Sequence, residues 1–399
     1  MKYLLPLLFF SLPAFAFKVD LSGNIEAQGR KTWNNEDAKK ELFQDWDNSE
    51  FYMLYGNLGG KVDVKGGSRF EANWLVRHSY SELYSPENPA QDEYLVTNVF
   101  TFPRTLVARD IFKLQYEKQE NNYRTDSVLN KFIYQWNFEE HRFTIGRMFI
   151  NYGQGEIFNP LNPFNQPTAL NSITNFAQGN DGVNFTFYAN DKHTLNFYFL
   201  GDKSIENYEG QIDKTVWLHG EYSYSEQLQL DYVLGEDQNR HKIGGQFTYL
   251  ADEAMIFGQL LYQSDYVNMK KSHNLWDILL GYDEQMNSKW HLRIEGGYQK
   301  RNRMQPEGFN LNNRFLPTEY FLAIANKYEI HPLVNLSGTI ITDIKSGFTY
   351  LVAKSTFSLS HNTEAELFAF SPISKGEGEE FPVQKLVTTD VGLTLRAFF

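Results

Sequence analysis

Side chains that catalyse reactions are sparse in this sequence and do not form recognisable sets. The nine histidines are scattered, and the absence of cysteine excludes disulfides, thiolate nucleophiles and cysteine-ligated zinc. The zincin, serine-hydrolase, P-loop and dinucleotide-binding motifs do not occur. A triad assembled only in space would not show in the order of residues. We therefore expect no enzyme, no catalytic residue and no cofactor.

Three acidic runs, at 45–50, 206–213 and 377–380, offer carboxylates that hard cations such as Ca²⁺ favour. Their spacing does not match an EF-hand loop, and most such runs are solvated. We expect no resident metal. The net charge of −12 and the lack of a long basic run also argue against a nucleic-acid partner.

Alternation of apolar and polar residues, the pattern of a β-strand with two different faces, recurs along the chain. Clear examples lie at 68–78, 227–236, 289–299 and 391–399. A further run, 126–137, sets Val128, Phe132, Tyr134 and Trp136 against Lys131, Gln135 and Asn137. We count twenty candidate strands, most of them about 9–11 residues long, which is the length that crosses a membrane.

Short turns and longer polar connections alternate between these strands. The short turns are expected near 65–67, 139–141, 190–192, 251–253, 284–288 and 361–362. This alternation predicts an all-β fold, a transmembrane up-and-down antiparallel β-barrel in an outer membrane. Single-chain bacterial barrels have even strand numbers, and the weakest candidate, 93–101, precedes a Phe-Pro break. We predict about 18 strands, within a range of 16 to 20. A secreted β-sandwich or propeller is the soluble alternative.

Charged residues within the strands are expected to face the barrel interior. An Arg or Lys facing lipid near mid-membrane costs about 2–4 kcal/mol. The resulting candidates for lining the lumen are Arg69, Glu71, Arg77, Arg109, Arg293 and Glu295. Charges of both signs can set up a field across an open channel, or can be paired within a filled barrel.

The segment 153–181 is the longest stretch without clear strand character. Gly153 and Gly155 permit close backbone approach, and the prolines that follow forbid ladder pairing. Such loops are usually functional or disordered, and the Asn, Phe and Pro content of this one favours order. We interpret it as a loop folded into the barrel to narrow it, the alternative being a surface loop that caps the barrel. The candidate residues here are Asn151, Gln154, Glu156, Asn159, Asn162 and Asn165.

A short segment around this loop carries a family resemblance. Ile145-Gly146-Arg147, Ile150-Asn151, Gly153, Gly155, Phe158-Asn159-Pro160 and Phe164-Asn165 follow an aromatic-rich strand at 129–136. The segment resembles that of porin-like outer-membrane barrels broadly akin to alginate-export and other substrate-specific porins. The resemblance covers about 40 residues. It implies a channel in which Arg147 faces the lumen beneath an inward-folded loop. The residues alone equally allow a structural arginine that pairs with the loop backbone.

The two ends of the chain suggest where the protein is located. Residues 1–16 form a secretory signal pattern, with Lys2, an apolar stretch and an Ala-Phe-Ala cleavage site. The barrel would then occupy 17–399. The apolar last strand, ending in Phe399, resembles the signal read by the barrel-insertion machinery. We predict export through the periplasm to the outer membrane.

Together these features predict a porin-like channel for passive diffusion of small hydrophilic solutes or ions. The alternative is an outer-membrane scaffold or conduit whose lumen is plugged or holds a partner protein. The expected partners are outer-membrane lipid, lipopolysaccharide and the insertion machinery, and self-association into a homo-oligomer is left open.

Overall fold

The architecture was established from a computed structural model of the chain. It describes residues 18–33, 48–64, 67–81, 107–109, 115–162, 164, 179–202, 213–237, 240–265, 273–299, 319–374 and 389–399. The signal pattern at 1–16, the candidate strand 93–101, the acidic run 377–380 and Asn165 lie outside these residues. No helix of the described residues is long and apolar enough to cross a membrane.

The described residues form twenty strands. The first ten are β1 (Lys18–Trp33), β2 (Asn48–Val64), β3 (Ser68–Ser81), β4 (Val107–Arg109), β5 (Gln115–Glu120), β6 (Tyr123–Phe138), β7 (His141–Phe149), β8 (Gly179–Asn190), β9 (His193–Asp202) and β10 (Asp213–Ser223). The others are β11 (Leu228–Asp237), β12 (Arg240–Ala251), β13 (Ala254–Asp265), β14 (His273–Asn287), β15 (Trp290–Gln299), β16 (Tyr320–His331), β17 (Val334–Asp343), β18 (Thr349–Ser360), β19 (Thr363–Ser374) and β20 (Thr389–Phe398).

Eighteen of these strands close into one antiparallel barrel. Each pairs with its neighbour in the chain, β3 pairs with β6, and β20 pairs with β1 to complete the ring. The predicted number of 18 is confirmed. The two remaining strands are short: β4 pairs in parallel with β8, and β5 pairs with β6. These two strands lie outside the ring, which explains part of the higher count of twenty.

The barrel is apolar outside and polar inside, the reverse of a soluble protein. On β20, Leu393 and Leu395 are exposed while Asp390 and Thr394 are buried. The outer surface carries large exposed apolar side chains on nearly every strand. Because soluble proteins rarely expose a continuous apolar surface of this extent, the outer face is the kind that lipid covers.

Strand β6 departs from the simple alternation expected at 126–137. Val128 is buried with Leu75, whereas Phe132 is exposed on the outer face. The register against β3 shifts at this point, since Asn73 lies opposite Lys131 and Trp74 opposite Leu129. A β-bulge of this kind adds one residue and reverses the face of every residue beyond it. The expectation that Val128 and Phe132 share a face is therefore wrong.

Short turns join the strands at one end of the barrel, as predicted. Two-residue turns follow β6, β8, β12, β14, β16 and β18. Glu139 and Asp252 adopt positive φ values of 49° and 50° in such turns. At the other end the connections after β11 and β17 are also short, spanning 238–239 and 344–348, so the predicted alternation is incomplete.

Candidate functional site

The candidate site begins where β7 leaves the barrel wall. This strand has nine residues, whereas its neighbour β6 has sixteen. Gly146, near its end, has a φ of 128°, and a Cβ there would collide with the carbonyl oxygen of Phe132. Only glycine tolerates that conformation and that approach. The strand ends three residues later at Phe149, and the chain then continues into the interior.

Residues 150–164, all described except Pro163, fold back on themselves inside the barrel, and we call this segment the hairpin. The outgoing arm passes Tyr152, whose ring stacks on His219 of β10 with centroids 4.1 Å apart. It then passes Gln154, whose backbone N–H donates to Oε1 of Gln246 on β12 at 3.1 Å. The tip reaches β15, which is eight strands from β7 one way round the ring and ten the other. The hairpin therefore crosses the interior to the opposite wall.

The tip of the hairpin is held by one carboxylate. The two side-chain oxygens of Glu295 accept the backbone N–H groups of Glu156 at 2.7 Å, Ile157 at 3.0 Å and Phe158 at 3.4 Å. Glu295 is almost fully buried, with 1% of its surface exposed. Hydrogen bonds to a charged group contribute about 1.5–3 kcal/mol each. This cluster of bonds fixes the position of the tip against β15.

Arg293 completes the attachment from the same strand. Its Nε donates to Glu295 at 2.8 Å, and Nη1 donates to Asp283 of β14 at 2.6 Å. Its Nη2 donates to the carbonyl oxygen of Gln154. The guanidinium also lies over the ring of Phe257, 4.9 Å from its centroid. Arg293 thus joins the hairpin backbone to two carboxylates of the wall. We call Arg293 and Glu295 the clasp.

Apolar side chains of the hairpin pack against the interior face from β9 to β16, and the clusters to which they belong extend to β6 and β7 on one side and to β17, β18 and β19 on the other. Phe158 meets Phe321 edge to face, with centroids 5.9 Å apart. Phe164 meets Trp217 in the same way at 5.4 Å. Leu161 lies over Gly244, where an added Cβ would be 2.7 Å from its Cδ2. These residues form two apolar clusters with the wall, which bury the returning arm.

The asparagines of the hairpin join its two arms. Asn159 donates to the carbonyl oxygen of Tyr152 at 2.7 Å. Asn162 donates to the carbonyl oxygen of Ile150 at 3.3 Å and to the side chain of Asn151 at 3.2 Å. Asn159 and Asn162 are buried, whereas Asn151 is exposed. The structure thus places the first two between the arms and presents Asn151 to the interior.

Arg147 lies within the barrel wall, close to the point where β7 leaves it and the hairpin begins. Its guanidinium donates to Asp181 of β8 at 2.6 and 2.9 Å and to the carbonyl oxygen of Leu129 at 3.1 Å. Arg147 and Asp181 have no exposed surface. Arg147 therefore ties β6, β7 and β8 together and does not touch the interior water, contrary to the lumen-facing expectation.

Ion pairs line the other side of the interior, on β18 to β20, β1 to β3 and β6, which we call the ionic wall. Arg77 and Arg124 share the buried Asp126. Arg396 bonds to Glu26 at 2.8 Å, and the remaining pairs are Lys354 with Glu366, Arg30 with Asp390, Arg69 with Asp63, and Lys131 with Glu71. Arg69 and Glu71 lie nearer the short-turn end and stay partly exposed. Arg109 belongs to β4, opposite Asn180, and its side chain lies outside the described part of the chain.

The structure therefore brings four of the sequence candidates together: Gln154, Glu156, Arg293 and Glu295. Their wall partners Gln246 and Asp283 were not among the candidates, although both fall on the polar face of alternating strands, which is a usable signal. Asp181 gives no such signal, because it follows a segment without periodicity. Within the described residues, no group of three or more histidines and carboxylates is placed to hold a metal ion.

Comparison with known proteins gives independent information about the fold of the chain. No family model matches the sequence, and no curated protein sequence matches it significantly. Solved structures do match: OccK9 (OpdG) of Pseudomonas aeruginosa has a TM-score of 0.61 at 9% identity, over 96% of this chain and 98% of that one. OccAB4 of Acinetobacter baumannii scores 0.59 at 9% identity, and a BenF-like porin from Pseudomonas fluorescens Pf-5 scores 0.59 at 8%, each with the same coverage. At such identities the similarity establishes the barrel fold.

Proposed function

We propose that the protein is a porin-like channel of a bacterial outer membrane, through which small hydrophilic solutes or ions diffuse passively. The observation that carries this proposal is a closed 18-strand barrel with an apolar exterior, a polar interior and a hairpin across it. A barrel of 16–18 strands is too wide for wall side chains to fill and leaves an aqueous channel. The BenF-like structural neighbour is itself named a porin.

The hairpin supplies the narrowing that a selective channel needs. The hairpin packs on the wall from β9 to β16, so the passage runs between the hairpin and the ionic wall. Asn151 and Glu156 of the hairpin are exposed. On the ionic wall, Lys131, Lys354 and Arg396 keep about a fifth to a quarter of their side chains exposed. Charged groups that line a narrow passage control which solutes pass.

The same proposal accounts for the surroundings of the barrel. Outer-membrane lipid and lipopolysaccharide would cover its exposed apolar face. The insertion machinery would recognise the last strand, where Phe398 and Phe399 are exposed. Self-association into a homo-oligomer remains compatible with this placement.

Single-channel recording tests the function. The full-length gene product, exported and purified from outer membranes in detergent, is added to a planar bilayer in KCl. We expect stable ohmic openings from protein whose folded state is verified by its heat-modifiable gel mobility. Silence from folded protein would contradict the channel and favour a plugged scaffold or conduit.

A further inference from the structure

The tip of the hairpin gathers more negative than positive charge. Arg293 lies within 4 Å of three carboxylates: Asp283 at 2.6 Å, Glu295 at 2.8 Å and Glu156 at 3.5 Å. His291 bonds to Asp283 at 2.7 Å and is charged only when protonated. With that imidazole neutral, one cation serves three anions, and the tip carries a net charge of about −2.

The three carboxylates differ in their access to water. The side chain of Glu295 has no exposed surface and that of Asp283 is 18% exposed, whereas that of Glu156 is 66% exposed. Glu295 is also occupied by three backbone N–H groups and by Arg293. The negative charge that a passing ion meets is therefore that of Glu156.

The position of Glu156 depends on the clasp. Its own backbone N–H donates to Glu295, and the carbonyl oxygen two residues earlier, on Gln154, accepts from Arg293. The backbone on both sides of the tip is thereby bonded to β15, opposite the strand from which the hairpin departs. A charge held on a fixed backbone acts on the permeating ion at a defined place, which a mobile loop would not provide.

We propose that Glu156 is a specificity-determining residue that favours cations in the narrow part of the channel, and that Arg293 and Glu295 position it there. This inference rests on the proposed channel function and extends it to ion preference. One elementary charge at about 10 Å in water raises the local cation concentration about twofold and lowers the anion concentration about twofold, and more where the dielectric constant is lower. Screening by salt reduces both factors.

The first test is the reversal potential of the full protein in a KCl gradient, compared with Glu156→Gln. We expect the ratio of K⁺ to Cl⁻ permeability to fall by about twofold or more. Glu226→Gln is the matched control, since it removes the same charge from an exposed turn at the short-turn end. Its ratio should equal that of the wild type.

The second test distinguishes a role of Glu295 in positioning Glu156 from a role only in the stability of the folded protein. In Glu295→Ala three backbone N–H groups of the tip lose the carboxylate that accepts them, so we expect larger, fluctuating conductance and a reduced K⁺ preference even though Glu156 remains. Glu295→Gln keeps one acceptor oxygen and should restore steadier openings. A purely structural role for Glu295 would lower the yield of folded channels and leave the conductance and permeability ratio of each channel unchanged.

The outcomes are distinguishable. A wild type that conducts while Glu156→Gln keeps the wild-type permeability ratio overturns this inference and leaves the channel standing. A wild type that folds and never conducts overturns the proposed function and this inference with it.

Discussion

The two sides of the barrel interior are built on different principles. Between β9 and β16, the wall meets the hairpin through aromatic and aliphatic side chains such as Phe321 and Trp217, with the clasp at the tip. On the ionic wall, Arg77, Arg124 and Asp126 illustrate the other solution, in which charges are buried and paired within the strands. One side therefore holds a separate element in place, and the other is built mainly from pairs within the wall. The two meet at β18 and β19, where Val352, Phe368 and Phe370 belong to the apolar cluster of the hairpin tip.

Because of this difference, we expect substitutions on one side to change the channel and substitutions on the other to change the stability of the barrel. Loss of contacts under the hairpin should alter the channel and leave the barrel folded, because the ladder of the wall does not depend on them. Loss of a buried ion pair should weaken the barrel, because a charge in a water-poor interior is costly when it loses its partner.

The largest effect on the channel is expected from Gly155→Val. An added Cβ there would collide with the carbonyl oxygen of Phe158 and lie 2.8 Å from Leu279, so the hairpin tip could not seat. We expect single-channel conductance to rise by a factor of about two or more, since an 18-strand barrel without the hairpin is a wide pore. Gly56→Val is the control, because a Cβ at Gly56 meets no atom within 4 Å. Equal conductance in both variants would contradict the hairpin as the constriction.

The largest effect on stability is expected on the other side, from Asp126→Ala. The substitution leaves two buried guanidiniums without their shared carboxylate and should lower the free energy of unfolding by about 3–5 kcal/mol. Urea titration followed by heat-modifiable gel mobility measures it. Asp63→Ala, which removes a partly exposed carboxylate near the turns, should show no measurable change. Channels that do form from Asp126→Ala should keep the wild-type conductance.

A smaller effect is expected from Tyr152→Leu, which removes the stack on His219. Aromatic pairs contribute about 0.5–1.5 kcal/mol beyond the area they bury. Because that contact lies under the hairpin, the variant should increase current noise and leave the urea midpoint of the barrel unchanged. A double-mutant cycle with His219→Leu, in which the current noise of the two single variants and the double variant is compared with that of the wild type, isolates the contact. Additive effects of the two substitutions would show that the stack does not matter.

The smallest effect is expected from Glu364→Gln on the ionic wall. Its 3.7 Å contact with Arg396 is partly exposed, and Arg396 keeps its shorter bond to Glu26. We expect a change below about 0.5 kcal/mol in the urea titration. A loss as large as that of Asp126→Ala would show that burial does not decide the strength of these pairs.

The alternation of strands such as β3, β15 and β20 was enough to predict the barrel and its strand number, because period two and even closure leave few alternatives. The bulge in β6 was not predictable, since one extra residue leaves no mark in composition. The candidates Arg293 and Glu295 were found because charges on an alternating strand must face inward. The pairing of Arg147 with Asp181 was not found, because it joins residues 34 positions apart across a segment without periodicity.

The departure of β7 also has a consequence for the edge of its neighbour β6. Strand β5 pairs with β6 at 123–128, a stretch of edge that is available only because β7 pairs with β6 from Phe132 onward and then turns inward. Strand β4, which also lies between β3 and β6 in the sequence, pairs with the first two residues of β8, Gly179 and Asn180. The edge of β6 that β7 leaves open is thus covered by β5, so the wall has no unpaired backbone along 123–128 to which the edge strand of another chain could add.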